Sequence, residues 1–167
     1  MSDIIDGQKL EADILKDMRV ELSEEFDKNF QRKAFFTDAW KPRKDKKALG
    51  SLLVVTGAMR RSIKSEVVGH GVRFSSSLPY TTIHNEGGKG TLTVKAHYRT
   101  SKKGKRYQVK SHQRRFNMPQ RQFIGDGKET QQLIKDVIDD NLQAFSLSMS
   151  NLSLIHISEP TRLGMIS

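Results

Sequence analysis

Six apolar residues, Leu10, Ile14, Met18, Leu22, Phe26 and Phe30, recur at every fourth position of a stretch from Gln8 to about Phe36 that holds neither proline nor glycine. Charged residues fill the positions between them, so the pattern predicts a long helix with one apolar face. A strict four-residue spacing drifts by about 40° per step on a helix of 3.6 residues per turn. The apolar stripe must therefore wind around the helix, which suits packing across a sheet.

The chain's 167 residues suffice for one domain with a real core and are too few for two comfortable ones. Its longest strongly apolar run, Leu52 to Val55, falls far short of the roughly 20 residues of a membrane-spanning helix. The first residues are acidic and polar, unlike a signal peptide, so a soluble protein of the cytoplasm with no membrane partner is expected. Cysteine is absent, which excludes disulfides and thiolate metal sites and leaves packing to hold the fold.

The net charge of +10 is unevenly placed. Residues 41–115 hold 19 basic and 3 acidic side chains, while 1–40 hold 6 and 10 and 116–167 hold 4 and 6. Such segregation predicts an acidic or polyanionic partner for the middle of the chain.

The middle also reads as the β-rich part. "WKPRKDKKALG", Trp40 to Gly50, joins a proline, a charge run and a closing glycine, as an exposed connector would. After a Thr56-Gly57 breaker, Ile63, Val67, Val68, Val72 and Phe74 flank a Gly-His-Gly turn and predict a hairpin. A second, clearer hairpin follows: "TLTVKAHYRT" and "KRYQVKSHQRR" alternate on either side of "SKKG". If Tyr98 faces Tyr107, then Leu92, Val94, Ala96, Tyr98, Tyr107 and Val109 point inward. The outward face would then be a cationic strip of Lys95, His97, Arg99, Arg106, Lys110, His112 and Arg114, with Lys95 opposite Lys110. Lys95, Arg99, Arg106 and Lys110 are the residues expected to meet an anionic partner.

A second amphipathic helix, capped by Asp126, places Leu133, Ile134, Val137, Ile138, Leu142 and Phe145 at helical spacing. The expected fold class is α+β: an antiparallel sheet with a long β-hairpin, covered by an N-terminal and a C-terminal amphipathic helix.

"YTTIHNEGGKG", Tyr80 to Gly90, is the stretch that most invites a chemical reading. On a strand, His84 and Glu86 would share a face and could do acid–base work. The five histidines show no metal-binding spacing, and the glycine turn lacks both phosphate-binding frames, G-x-x-x-x-G-K-[ST] and G-x-G-x-x-G. The better reading is a structural corner, in which Tyr80, Ile83 and His84 face the core and the glycines turn the chain into the long hairpin. No catalytic residue, metal or cofactor is required. A basic module that attracts nucleic acid non-specifically remains the alternative, although inward tyrosines would leave no exposed aromatics to stack on bases.

Taken in order, Trp40-x-Pro42 with its basic stretch, "LLVVTGAMRRSI", "YTTIHNEGG" and "RQFIGDG" resemble the successive motifs of the phage virion morphogenesis, or tail-completion, family. Leu52, Leu53, Thr56, Gly57, Met59, Ser62 and Ile63 fit the first block. Tyr80, Ile83, His84, Gly87 and Gly88 fit the second, with Thr81 where a small alanine is usual. Arg121, Phe123, Ile124 and Gly125 fit the closing one. The resemblance spans about Ala39 to Phe145. It implies a structural protein that completes the tail or joins it to the head, as an oligomeric ring in contact with other tail or neck proteins, the basic strip facing either packaged DNA or an acidic ring neighbour. Its expected location is the bacterial cytoplasm during assembly and then the virion.

"LSLIHISEPTR", Leu152 to Arg162, resembles the conceptual translation of a transposase adapter used in preparing sequencing libraries. The expected organisation is thus one domain over residues 1–151 and a non-native tail over 152–167.

Overall fold

The computed structural model describes residues 2–43 and 50–156, with side chains described for 7–43 and 50–150. Part of the Trp40–Gly50 connector and residues 157–167 of the tail lie outside them. The chain is α+β. In order, the elements are α1 (Ser2–Arg32), β1 (Ala34–Phe35), β2 (Asp38–Ala39), α2 (Ala58–Ser62), β3 (Ile63–Val68), β4 (Gly71–Ser76), α3 (Thr81–Glu86), β5 (Gly88–Val94), β6 (His97–Thr100), β7 (Arg106–Val109), β8 (His112–Met118) and α4 (Lys128–His156). The strands pair two by two in four sheets: β1 with β2, β3 with β4, β5 with β8 and β6 with β7.

Two compact units account for the described residues. One comprises those within 1–25, 65–74 and 126–167; the other comprises 26–64 and 75–125. In the first, Leu15, Leu22 and Val137 are buried. Asn141 on α4 donates to Asp17 on α1 at 3.2 Å, and His70 at the tip of the β3–β4 hairpin pairs with Glu11. Asp126 stands two residues ahead of α4, not at its cap. Its carboxylate accepts from the Gly127 N–H at 2.8 Å and from the Gln131 side chain at 3.1 Å. Leu142, expected in the core, is exposed.

The second unit holds the aromatic core. Phe30, Trp40, Met59 and Phe123 are buried together, with Leu52, Leu53, Val54, Ile63, Leu78 and Ile124 packed around them. Phe30 sits 4.9 Å from Phe123 and 5.8 Å from Trp40, ring centre to ring centre. The first helix ends at Arg32, four residues before the apolar pattern does, because the chain must double back to bring Trp40 beside Phe30. No glycine is available for that reversal. Lys33 takes a positive φ of 57° in its place, and its carbonyl accepts the Trp40 N–H at 2.8 Å.

The long hairpin departs from the expected register by one residue. Arg99, not Tyr98, lies opposite Tyr107, and Tyr98 lies opposite Gln108. Val94↔His112 in one sheet and His97↔Val109 in the other keep a single register across a two-residue gap on each arm. Because side chains alternate, a slip of one residue turns one arm over relative to the other. Leu92 and Val94 therefore share a face with Arg114 and His112, and Arg99 shares one with Tyr107, so the cations are not sorted to one side. Tyr98 and Tyr107 are 60% and 46% exposed and Leu92 is 61% exposed, in place of the inward positions expected of them. At the gap, His97 and His112 each donate Nδ1–H to the carbonyl two residues back, that of Lys95 at 2.9 Å and of Lys110 at 3.0 Å. These local bonds mark where the ladder is interrupted.

Candidate functional site

The closing "RQFIG" segment has no regular secondary structure, so its buried backbone groups need partners from elsewhere. They find them in side chains. Asn85 Oδ1 accepts the N–H groups of Phe123 and Ile124 at 2.9 and 3.1 Å. Asn29 Nδ2 donates to the Phe123 carbonyl at 3.1 Å, and Trp40 Nε1 donates to that of Gln122 at 2.6 Å. Asn29 is wholly buried, and its Oδ1 also accepts the Phe36 N–H at 2.9 Å. Three distant stretches of chain are thus tied to one loop. Neither asparagine stood out in the sequence, where single asparagines carry no spacing signal.

The second block folds as a helical turn rather than a strand. Thr81 to Glu86 form α3, with Thr81 buried, Tyr80 exposed and His84 between the two extremes. On a helix, positions two apart point about 200° from each other. His84 and Glu86 consequently do not share a face, which removes the geometry of the acid–base pair. A hydroxyl chain joins this block to the first: Ser62 Oγ meets Ser76 Oγ at 2.7 Å, and Ser76 Oγ meets Thr81 Oγ1 at 2.8 Å. Arg60, on α2, forms a two-pronged ion pair with Asp27.

Around these tethers lies a pocket of about 310 Å³. Leu52, Leu53, Thr56, Tyr80, His84 and Arg121, all singled out in the sequence, line it, and Arg43 joins them from the segment read as a connector. Gly57, Ser62 and Ile63 lie on or beside α2, Gly87 and Gly88 close α3 and open β5, and Phe123 is in the core. Lys95, Arg99, Arg106 and Lys110 sit on the hairpin arms, apart from the pocket lining.

Arg121 is only 6% exposed. Its Nε donates to the Lys41 carbonyl at 2.9 Å, a terminal nitrogen reaches the Pro42 carbonyl at 3.4 Å, and the other approaches Met118 Sδ at 3.8 Å. Its backbone N–H donates to the His84 carbonyl at 2.9 Å. Burial, and then Arg43, pull its pKa below the usual arginine value. Burial, and then the Arg121 charge, lower that of His84, whose Nδ1 is buried and has no hydrogen-bond partner among the described residues. No acidic residue lines the pocket among the described residues, and no group of three or more His, Asp or Glu among them could hold a metal ion.

These features define a small α+β module with an electropositive pocket and a long exposed hairpin, surfaces suited to contact with other molecules. The chain belongs to the phage virion morphogenesis family, whose model matches residues 5–143. No curated protein and no solved structure matches it. Among the described residues no helix is long and apolar enough to cross a membrane.

Proposed function

We propose that the protein is a structural assembly component that completes a phage or prophage tail, or joins the tail to the head, as an oligomeric ring, with no reaction as part of its role. The family match over most of the chain carries this reading. The exposed hairpin supports it, since Leu92, Tyr98 and Phe116 are exposed on one of its faces and Tyr107 on the other, apolar side chains of the kind protein partners cover. Neighbouring copies and other tail or neck proteins are the proposed partners, during assembly in the host cytoplasm and then in the virion. Light scattering of the full chain over a concentration series, at low and high salt, tests the ring. A discrete multiple of the 19.0 kDa chain mass is expected. The mass of one chain at every concentration would remove the ring from the proposal.

The hairpin also favours a second reading, contact with packaged DNA. Arg106 lies over the Tyr98 ring at 4.5 Å, so exposed aromatics are interleaved with cations in the way that single-strand and backbone binders use. Binding of this kind weakens steeply with salt. Replacing Lys95, Arg99, Arg106 and Lys110 by Ala is expected to abolish duplex binding and flatten its salt dependence; binding retained in that variant would exclude the hairpin as the contact.

A further inference from the structure

The electropositive pocket raises a question that the assembly role leaves untouched: what its buried charge is for. A guanidinium has five N–H donors. Arg121 directs three of them at two backbone carbonyls and a thioether sulfur, the carbonyl of Pro42 and the sulfur at long range, and all three acceptors are neutral. One N–H on each terminal nitrogen has no partner among the described residues. A buried cation compensated only by neutral acceptors is costly to maintain, and a carboxylate is the partner that offsets it best, because its two oxygens match two parallel N–H groups.

We propose that this pocket binds a carboxylate carried on a branched apolar body, the chemistry that a protein chain presents at a C-terminal leucine or isoleucine. Arg121 holds the carboxylate through its two remaining N–H groups. His84, whose Nδ1 has no partner among the described residues, belongs to the same pocket lining and adds to the attraction. Leu52, Leu53, Val55 and Met59 supply the apolar surface for the branched side chain. That lining is what separates a carboxylate from phosphate. Phosphate would bring a second charge and more acceptor oxygens than the pocket's few donors satisfy, and it would leave the apolar wall uncovered. A volume of about 310 Å³ suits a ligand of one or two residues. The site is formed within one unit of the fold and does not depend on the ring.

The electrostatics agree. Burial and Arg121 hold His84 below its ordinary pKa, and Tyr80, Arg43 and Arg121 are the titratable groups sharing its pocket. A bound carboxylate would reverse part of that shift and raise the His84 pKa.

The test is an NMR titration of the full chain, following the His84 ring and the Arg121 Nε signal, with N-acetyl-leucine, N-acetyl-leucinamide and inorganic phosphate as probes. N-acetyl-leucine is expected to saturate both signals with a Kd on the order of 1 mM, the range open to so small a ligand. It should also move the His84 titration midpoint upward, while leucinamide leaves both signals unmoved. A His84→Gln variant, which keeps Arg121 and its tethers, should bind roughly tenfold more weakly, a loss of one charge-assisted hydrogen bond. Equal shifts with leucinamide, no saturable shift with N-acetyl-leucine, or tighter binding of phosphate than of N-acetyl-leucine would each overturn the assignment.

Discussion

Gly87 and Gly69 both have positive φ, 75° and 58°, yet their surroundings set different costs for a side chain. At Gly87 the backbone has φ 75° and ψ −179°, a region open in practice to glycine alone. A Cβ there would lie 2.7 Å from the Gln120 nitrogen and 3.0 Å from its Cα, both backbone atoms with little room to yield. At Gly69 nothing lies within 4 Å. Gly87→Ala is therefore expected to cost about 3 kcal/mol or more, and Gly69→Ala about 1 kcal/mol, in chemical denaturation. Equal costs would mean that the close approach at Gly87 does not govern the corner. His84 adds a pH dependence. Its folded pKa lies below its unfolded value of about 6.5, so the unfolded chain binds the proton more readily. The stability His84 contributes is present above that value and is lost as pH falls below it. Thermal melting between pH 7 and 5 should drop more for the natural protein than for His84→Gln. His70, exposed and raised by Glu11, acts with the opposite sign in both proteins and cancels from the comparison. Parallel melting profiles would show that the burial of His84 does not penalise its charged form.

Among the elements, the hairpin carries the plainest consequence of a single register. Tyr98 and Tyr107 lie on opposite faces and are both largely solvent-exposed, so Tyr98→Ala and Tyr107→Ala should each change stability by less than about 0.5 kcal/mol. A loss of several kcal/mol, the size expected for an aromatic removed from a core, would restore the inward placement. Alternation alone could not choose between the two arrangements. Each arm reads correctly as β-structure, though the gap divides it into two strands, and the Ser101–Lys105 turn is closed by backbone bonds in both directions, Ser101 N–H to Lys105 carbonyl and Gly104 N–H to Ser101 carbonyl, both at 2.9 Å. Register depends on that turn, and a face with no core behind it exerts little force to correct it. The helices were easier to read. Leu22, Phe26 and Phe30 are buried at the spacing that announced them, since a long repeat sums many weak preferences. The end of α1 was less legible because it rests on one residue, Lys33, adopting a conformation that residues of its type seldom choose.

For the whole molecule, the two compact units are not successive stretches of sequence: the chain passes between them within α1, within β3, within β4 and just ahead of α4. Unfolding one unit alone would break hydrogen-bonded elements that continue into the other. We therefore propose a single domain and expect one calorimetric transition, whose van't Hoff and calorimetric enthalpies agree; two resolved transitions would refute it. The sequence by itself determined the α+β class, the two terminal helices, the family motifs and the concentration of positive charge in the middle, because each is written in local spacing or in simple counting. Tertiary structure decided the rest. It gathered Leu52, Tyr80, His84 and Arg121 with Arg43 around one pocket, assigned Asn29 and Asn85 to an irregular loop, and set the hairpin's faces. Those outcomes depend on which distant backbone groups are left needing partners once the aromatic core has closed, and that need does not exist until the chain has folded.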